Sequence, residues 1–129
     1  MIVSRALFAL TAATLIGCAT SGASGRTDSN ILTREEIAKA GIGGSAYDVI
    51  SRLRPAFLIS RGQATLSNGT TATSYPNVYL DGVVYGDITS LRNVDSIQIA
   101  EVRLYQAWDA QTKFGMGNNG GVIAISTRR

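Results

Sequence analysis

The stretch Tyr75-Pro76-Asn77-Val78-Tyr79-Leu80-Asp81-Gly82-Val83-Val84-Tyr85-Gly86 constrains the fold more than any other part of the chain. Apolar, β-branched and aromatic residues stand on both sides of an Asp-Gly pair. A type I′ turn needs positive φ at both central positions, which these two residues tolerate, so the pattern predicts a β-hairpin turning at Asp81 and Gly82. The remaining segments are then expected to cover or extend this ribbon.

The first residues read as an address. Arg5 supplies a positive charge, residues 6–16 are uninterruptedly small and apolar, and small residues follow, which is the layout of a secretory signal peptide. Eleven helical residues would cover roughly half of a bilayer's hydrocarbon core, too little for a transmembrane anchor. Leu15-Ile16-Gly17-Cys18 resembles the bacterial lipobox, in which cleavage before the cysteine leaves a thiol that is lipidated. Cys18 is the only cysteine of the chain, so no disulfide partner competes for it. The expected division is a lipoprotein signal peptide over 1–17, a lipidated Cys18 with a flexible tether over 18–30, and a folded domain over 31–129. Several acyl chains, each methylene contributing about 0.8 kcal/mol, would hold the protein on a membrane. Ala19 stands where Asp would favour retention at the inner membrane. The expected location is therefore the outer membrane, on its periplasmic face, with surface display left open. Residues 19–30 are small and polar with no apolar period, a coil with a typical reach of about 20 Å.

From Ile31 onward the chain carries the signals of a packed domain. Thr33-Arg34-Glu35-Glu36 is a capping-box pattern and Gly41 a stop, which predicts a helix from Arg34 to Ala40. Ser45 caps a second helix on which Tyr47, Ile50 and Leu53 share a face, a spacing that makes Tyr47 core rather than a ligand-stacking ring. Pro55 ends that helix. A strand is expected over 56–60, then a long polar loop over 61–74, the candidate contact loop, with Arg61, Asn68 and Tyr75 as its candidate contact residues. Asn68-Gly69-Thr70 matches a glycosylation acceptor, which the bacterial address makes coincidental. Asp87 caps a helical turn through Ile88 and Leu91. The spacing of Ile99, Val102 and Leu104 marks a turn feeding a strand over 101–106, followed by a short helix through Ala110 and Phe114. Gly120-Gly121-Val122-Ile123-Ala124-Ile125-Ser126-Thr127 closes the chain as a strand, central because both faces are largely apolar. Gly115-Met116-Gly117-Asn118-Asn119-Gly120 spells the dinucleotide fingerprint. Here the glycines follow a helix and open a strand, the reverse of what pyrophosphate binding needs, so Gly115 and Gly121 are expected to shape the fold, like Asp81 and Gly82.

Chemistry narrows next. The chain has no histidine, which removes His-based triads and His/Cys zinc sites, and with Cys18 assigned to lipid there is no thiol nucleophile. Asp81, Asp87 and Asp109 are the candidate acids, and turn and capping duties account for all three. No enzyme activity, metal or cofactor is expected. Loss of residues 1–17 takes Arg5 with it and leaves 11 basic against 9 acidic residues, a net +2. The basic residues Arg34, Arg52, Arg54, Arg61, Arg92 and Arg103 are scattered and read as solvated surface, so no nucleic-acid partner is expected.

Six pieces occur in the order of the plug domain of TonB-dependent outer-membrane receptors: Ile31-Leu32-Thr33-Arg34-Glu35-Glu36-Ile37, the helix between Ser45 and Pro55, Val78-Tyr79-Leu80-Asp81-Gly82, Ile99-Ala100-Glu101-Val102-Arg103-Leu104, Ala110 with Phe114-Gly115, and Gly121-Val122-Ile123-Ala124-Ile125-Ser126-Thr127. Residues 31–129 resemble that family. The resemblance implies a small α+β domain, a mixed sheet with a central hairpin and short helices packed against it. In the family this domain sits inside a 22-stranded barrel, contributes loops to the ligand site and carries an N-terminal segment bound by TonB. Two departures stand out: the sequence stops at Arg129, just after the last plug strand, and residues 19–30 hold no convincing TonB-binding segment. The expectation is therefore a free-standing, plug-like lipoprotein that binds an envelope protein, with an outer-membrane transporter as the candidate. A small-ligand-binding accessory of an uptake system and a fragment of a receptor stay open as alternatives.

Overall fold

A computed structural model describes residues 28–61, 63–65 and 71–128. The elements are β1 (Ile31–Thr33), α1 (Arg34–Ala40), α2 (Ala46–Leu53), a 3-10 helix Pro55–Leu58, β2 (Gln63–Thr65), β3 (Thr71–Thr73), β4 (Asn77–Leu80), β5 (Val83–Gly86), 3-10 helices Ile88–Asn93 and Ser96–Gln98, β6 (Ile99–Tyr105), α3 (Ala107–Phe114) and β7 (Val122–Thr127). Five strands form one mixed sheet in the order β1-β6-β7-β4-β5, and β2 and β3 form a separate ribbon. Only β4 and β7 pair in parallel within the large sheet. The fold is α+β.

Strand alternation sorts the sheet into two faces. Leu32, Val78, Val102, Leu104, Ile123 and Ile125 point to one side, where they meet Ile37 of α1, Val49 and Ile50 of α2, and Phe57 and Leu91 of the 3-10 helices. Tyr79 and Val122 point to the other, against Ala110 and Phe114 of α3. β7 lies in the middle of the order with Val122, Ile123 and Ile125 buried, because only a strand covered on both sides can use apolar residues on both. The hairpin joins this centre through β4 alone, and β5 is the sheet's edge.

Both predicted helix starts are capping boxes. The Thr33 hydroxyl accepts from the Glu36 amide while the Glu36 carboxylate accepts from the Thr33 amide, and Gly41 closes α1 at φ 62°. Ser45 and Asp48 repeat the arrangement at α2. The Ser45 hydroxyl and then its backbone amide, both donating to the carboxylate, hold Asp48 below the usual aspartate value. Tyr47 packs against the main core and carries the Arg92 guanidinium 4.2 Å above its ring.

Two expected elements fail and a third shifts. Residues 56–60 are not a strand: Pro55 presets the φ of a helical turn, and the Phe57 amide donates to the Arg54 carbonyl at 2.9 Å. Phe57 is 1% exposed and Ile59 59%, although a strand would put both on one face. Residues 61–74 are also not a plain loop, since they contain the β2–β3 ribbon, paired Gln63 to Thr73, Ala64 to Ala72 and Thr65 to Thr71. β-Branched threonines around Asn68-Gly69 were the signal for it. The strand expected at 101–106 begins earlier, at Ile99.

Candidate functional site

Asp81 and Gly82 adopt φ 50° and 86°, the left-handed pair of a type I′ turn. The Asp81 carboxylate also reaches across the sheet to the end of β7, accepting from the Thr127 amide at 2.8 Å and the Thr127 hydroxyl at 2.5 Å. It is a clamp between the hairpin and the closing strand. Asp81→Asn should keep the turn, since Asn also accepts φ above zero, whereas Asp81→Ala should lose both the turn preference and the clamp, costing about 1–2 kcal/mol in urea unfolding. Asp87 caps the 3-10 helix Ile88–Asn93 through the Thr89 and Ser90 amides, and the Thr89 hydroxyl above all holds its carboxyl below the usual value. Asp109 stands in the first turn of α3. Among the described residues no group of three or more His, Cys, Asp or Glu side chains could hold a metal ion.

Gly115 ends α3 at φ 92°, its amide donating to the Gln111 carbonyl, and β7 follows six residues after the turn begins. Gly121 combines φ 89° with a position where a Cβ would lie 2.5 Å from the Tyr105 carbonyl oxygen. Between them, the nearly buried Asn118 fastens the turn: it accepts from the Asn77 amide side chain at 2.9 Å and donates to the Gly115 carbonyl at 2.9 Å. Sequence reasoning missed Asn118, because an asparagine beside glycines looks like ordinary turn composition.

The expected contact loop is rearranged. The Arg61 guanidinium donates to the Ala56 carbonyl at 2.7 Å and to the Gln106 side-chain oxygen at 3.3 Å. Tyr75 is exposed, and its carbonyl lies under Gly120. Asn68 and Cys18 lie outside the described residues, as do the expected signal peptide over 1–17 and residues 18–27 of the expected tether. The arginines are not uniformly solvated either. Arg54 pairs with Glu36 at 2.9 Å with both side chains under a third exposed, joining the ends of α1 and α2, and Arg103 pairs with Glu101 at 3.2 Å.

Exposed apolar surface marks where this domain can meet something else. On β5, Val83, Val84 and Tyr85 are 69%, 63% and 41% exposed. Natural sheet edges are usually blunted by charge, proline or extreme shortness. β5 has four residues, Val-Val-Tyr-Gly, with neither charge nor proline among them. At the opposite edge, β1 has only three. A groove of about 230 Å³ also opens between α1 and the 3-10 helix Ser96–Gln98, walled by Ile37, Ile42, Ile97 and Ile99 with Arg34 and Arg128 beside it. No protein-family model, curated protein or solved structure matches the chain.

Proposed function

We propose that the protein is a non-enzymatic, lipid-anchored protein of the bacterial outer membrane whose plug-like domain works by binding another envelope protein along the β5 edge. The exposed apolar residues of this edge carry the reading. A partner strand laid beside β5 would take up its outward backbone groups, while the exposed Val83, Val84 and Tyr85 supply apolar contacts. The lipobox-like Leu15-Ile16-Gly17-Cys18 supports the address. A small-ligand role is the second reading, favoured by the groove beside Arg34 and Arg128, whose chemistry suits an amphipathic anion.

A photoreactive phenylalanine derivative placed at Val84 tests the edge. It should give a discrete protein adduct in the envelope, absent from the same probe at Arg52 on α2, and Val84→Lys with Tyr85→Lys should reduce capture of that partner at least about tenfold, the scale of one lost contact worth 1.4 kcal/mol. Equal adducts from both positions, or capture unchanged by the charged edge, would refute strand addition. A rise in melting temperature with an amphipathic carboxylate and no adduct would transfer support to the ligand reading.

A further inference from the structure

Among the described residues, four of the eight exposed large apolar side chains gather at one end of the sheet: Ile59, Tyr75, Trp108 and Met116, at 59%, 51%, 81% and 92% exposure. Register places them there. β6 ends at Tyr105 opposite Val122, the first residue of β7, and Val122 pairs with Asn77, the first of β4. Tyr75 stands two residues before β4, and Trp108 is in the first turn of α3 just after β6. Ile59 is drawn in by its neighbour Ser60, whose hydroxyl donates to the Ser74 carbonyl at 2.9 Å. Met116 belongs to the turn that Asn118 fastens to Asn77.

The chain also enters the domain at this end. The Asn30 carbonyl accepts from the Leu104 amide at 2.8 Å, and Ile31 pairs with Arg103. A seven-residue strand such as β6 spans about 23 Å, so the Asp81-Gly82 turn lies a full strand length away. Twelve residues, 19–30, lie between Cys18 and β1 in sequence, so an anchor on Cys18 attaches to the domain at its Trp108 end.

We infer that this end of the domain seats in the headgroup region of the bilayer that holds the anchor, with Trp108 and Tyr75 at the interface and Ile59 and Met116 dipping beside them. The proposal rests on the lipid-anchored reading above. Tryptophan and tyrosine suit that depth, since each has an apolar ring and a polar tip. Charge on the elements at this end is mixed, with Arg61 bonded to Gln106 and Lys113 on α3 against Asp28 before β1 and Asp109 on α3, so the attachment is interfacial and only weakly sensitive to salt.

Trp108 is the only tryptophan of the chain, so its emission reports this end alone. The mature, lipidated protein in vesicles of phosphatidylethanolamine and phosphatidylglycerol should emit at shorter wavelength than the Cys18→Ser protein in buffer. Brominated acyl chains should quench it. Incorporation of a radioactive fatty acid, lost in Cys18→Ser, reads the anchor separately. Label at Cys18 with unshifted, unquenched Trp108 would overturn the docking and leave the anchor standing. No label, but a Trp108 shift when the Cys18→Ser protein meets the same vesicles, would support docking and overturn the anchor. Neither signal overturns both, and a shift seen with envelope extract but not with lipid alone assigns this end to a protein instead.

Discussion

Gly121→Ala should destabilise the domain by about 3 kcal/mol or more, a large part of what holds a small domain folded. Two separate penalties combine at this position. An L-residue at φ 89° carries roughly 1–2 kcal/mol of backbone strain. The new Cβ would also sit 2.5 Å from the Tyr105 carbonyl oxygen, and because that atom is backbone, relief requires shifting the end of β6 away from β7, typically another 1–3 kcal/mol. Gly117→Ala is the control, with φ 98° and nothing within 4 Å of the added atom, so it carries the strain without the clash. Urea unfolding of both should show the Gly121 variant losing at least about twice as much stability as the Gly117 variant. Equal losses would mean that the β6–β7 junction yields easily.

Phe57→Ala should cost about 3–5 kcal/mol, whereas Ile59→Ala should change stability by less than about 0.5 kcal/mol. Phe57 is among the largest fully buried side chains, and α2 and the sheet cannot close on the space it would leave without moving. Ile59 is mostly in solvent. The contrast tests the 3-10 helix directly, because in a strand the two residues share a face and would respond alike. Similar losses by thermal melting would restore the extended conformation for residues 56–60.

Local signals were legible because each depends on a few neighbouring residues. Thr33 with Glu36, Ser45 with Asp48, and Asp81 with Gly82 carry their own hydrogen-bonding or φ requirements, and the structure uses each as expected. The closing strand was legible because Val122 to Ile125 are apolar on both faces. β1 was not, since three residues have no period and exist as a strand only through their pairing with β6. The β2–β3 ribbon hid among residues of loop-like composition, and the strand misplaced at 56–60 came from reading an apolar run without asking whether it alternates. For the candidate site, the turn and capping roles of Asp81 and Asp87 follow from their neighbours in sequence, whereas the hydrogen bonds of Arg61 to Ala56 and Gln106 depend on tertiary placement that no local pattern carries. The β5 edge was hidden for a different reason: Val83 and Val84 look like core until pairing shows that nothing in the sheet lies beyond them.

The Asp81 clamp on Thr127 bears on how the domain carries load. The chain comes in beside Leu104 and leaves β7 at the far end of the sheet, next to the hairpin turn. A pull between those two ends therefore runs along the strands, with the β1–β6 and β6–β7 ladders resisting in shear, all bonds stretched together, and with the clamp fixing the outgoing end. Such a sheet behaves as a stiff link in a line of tension, not as a zipper opened one rung at a time.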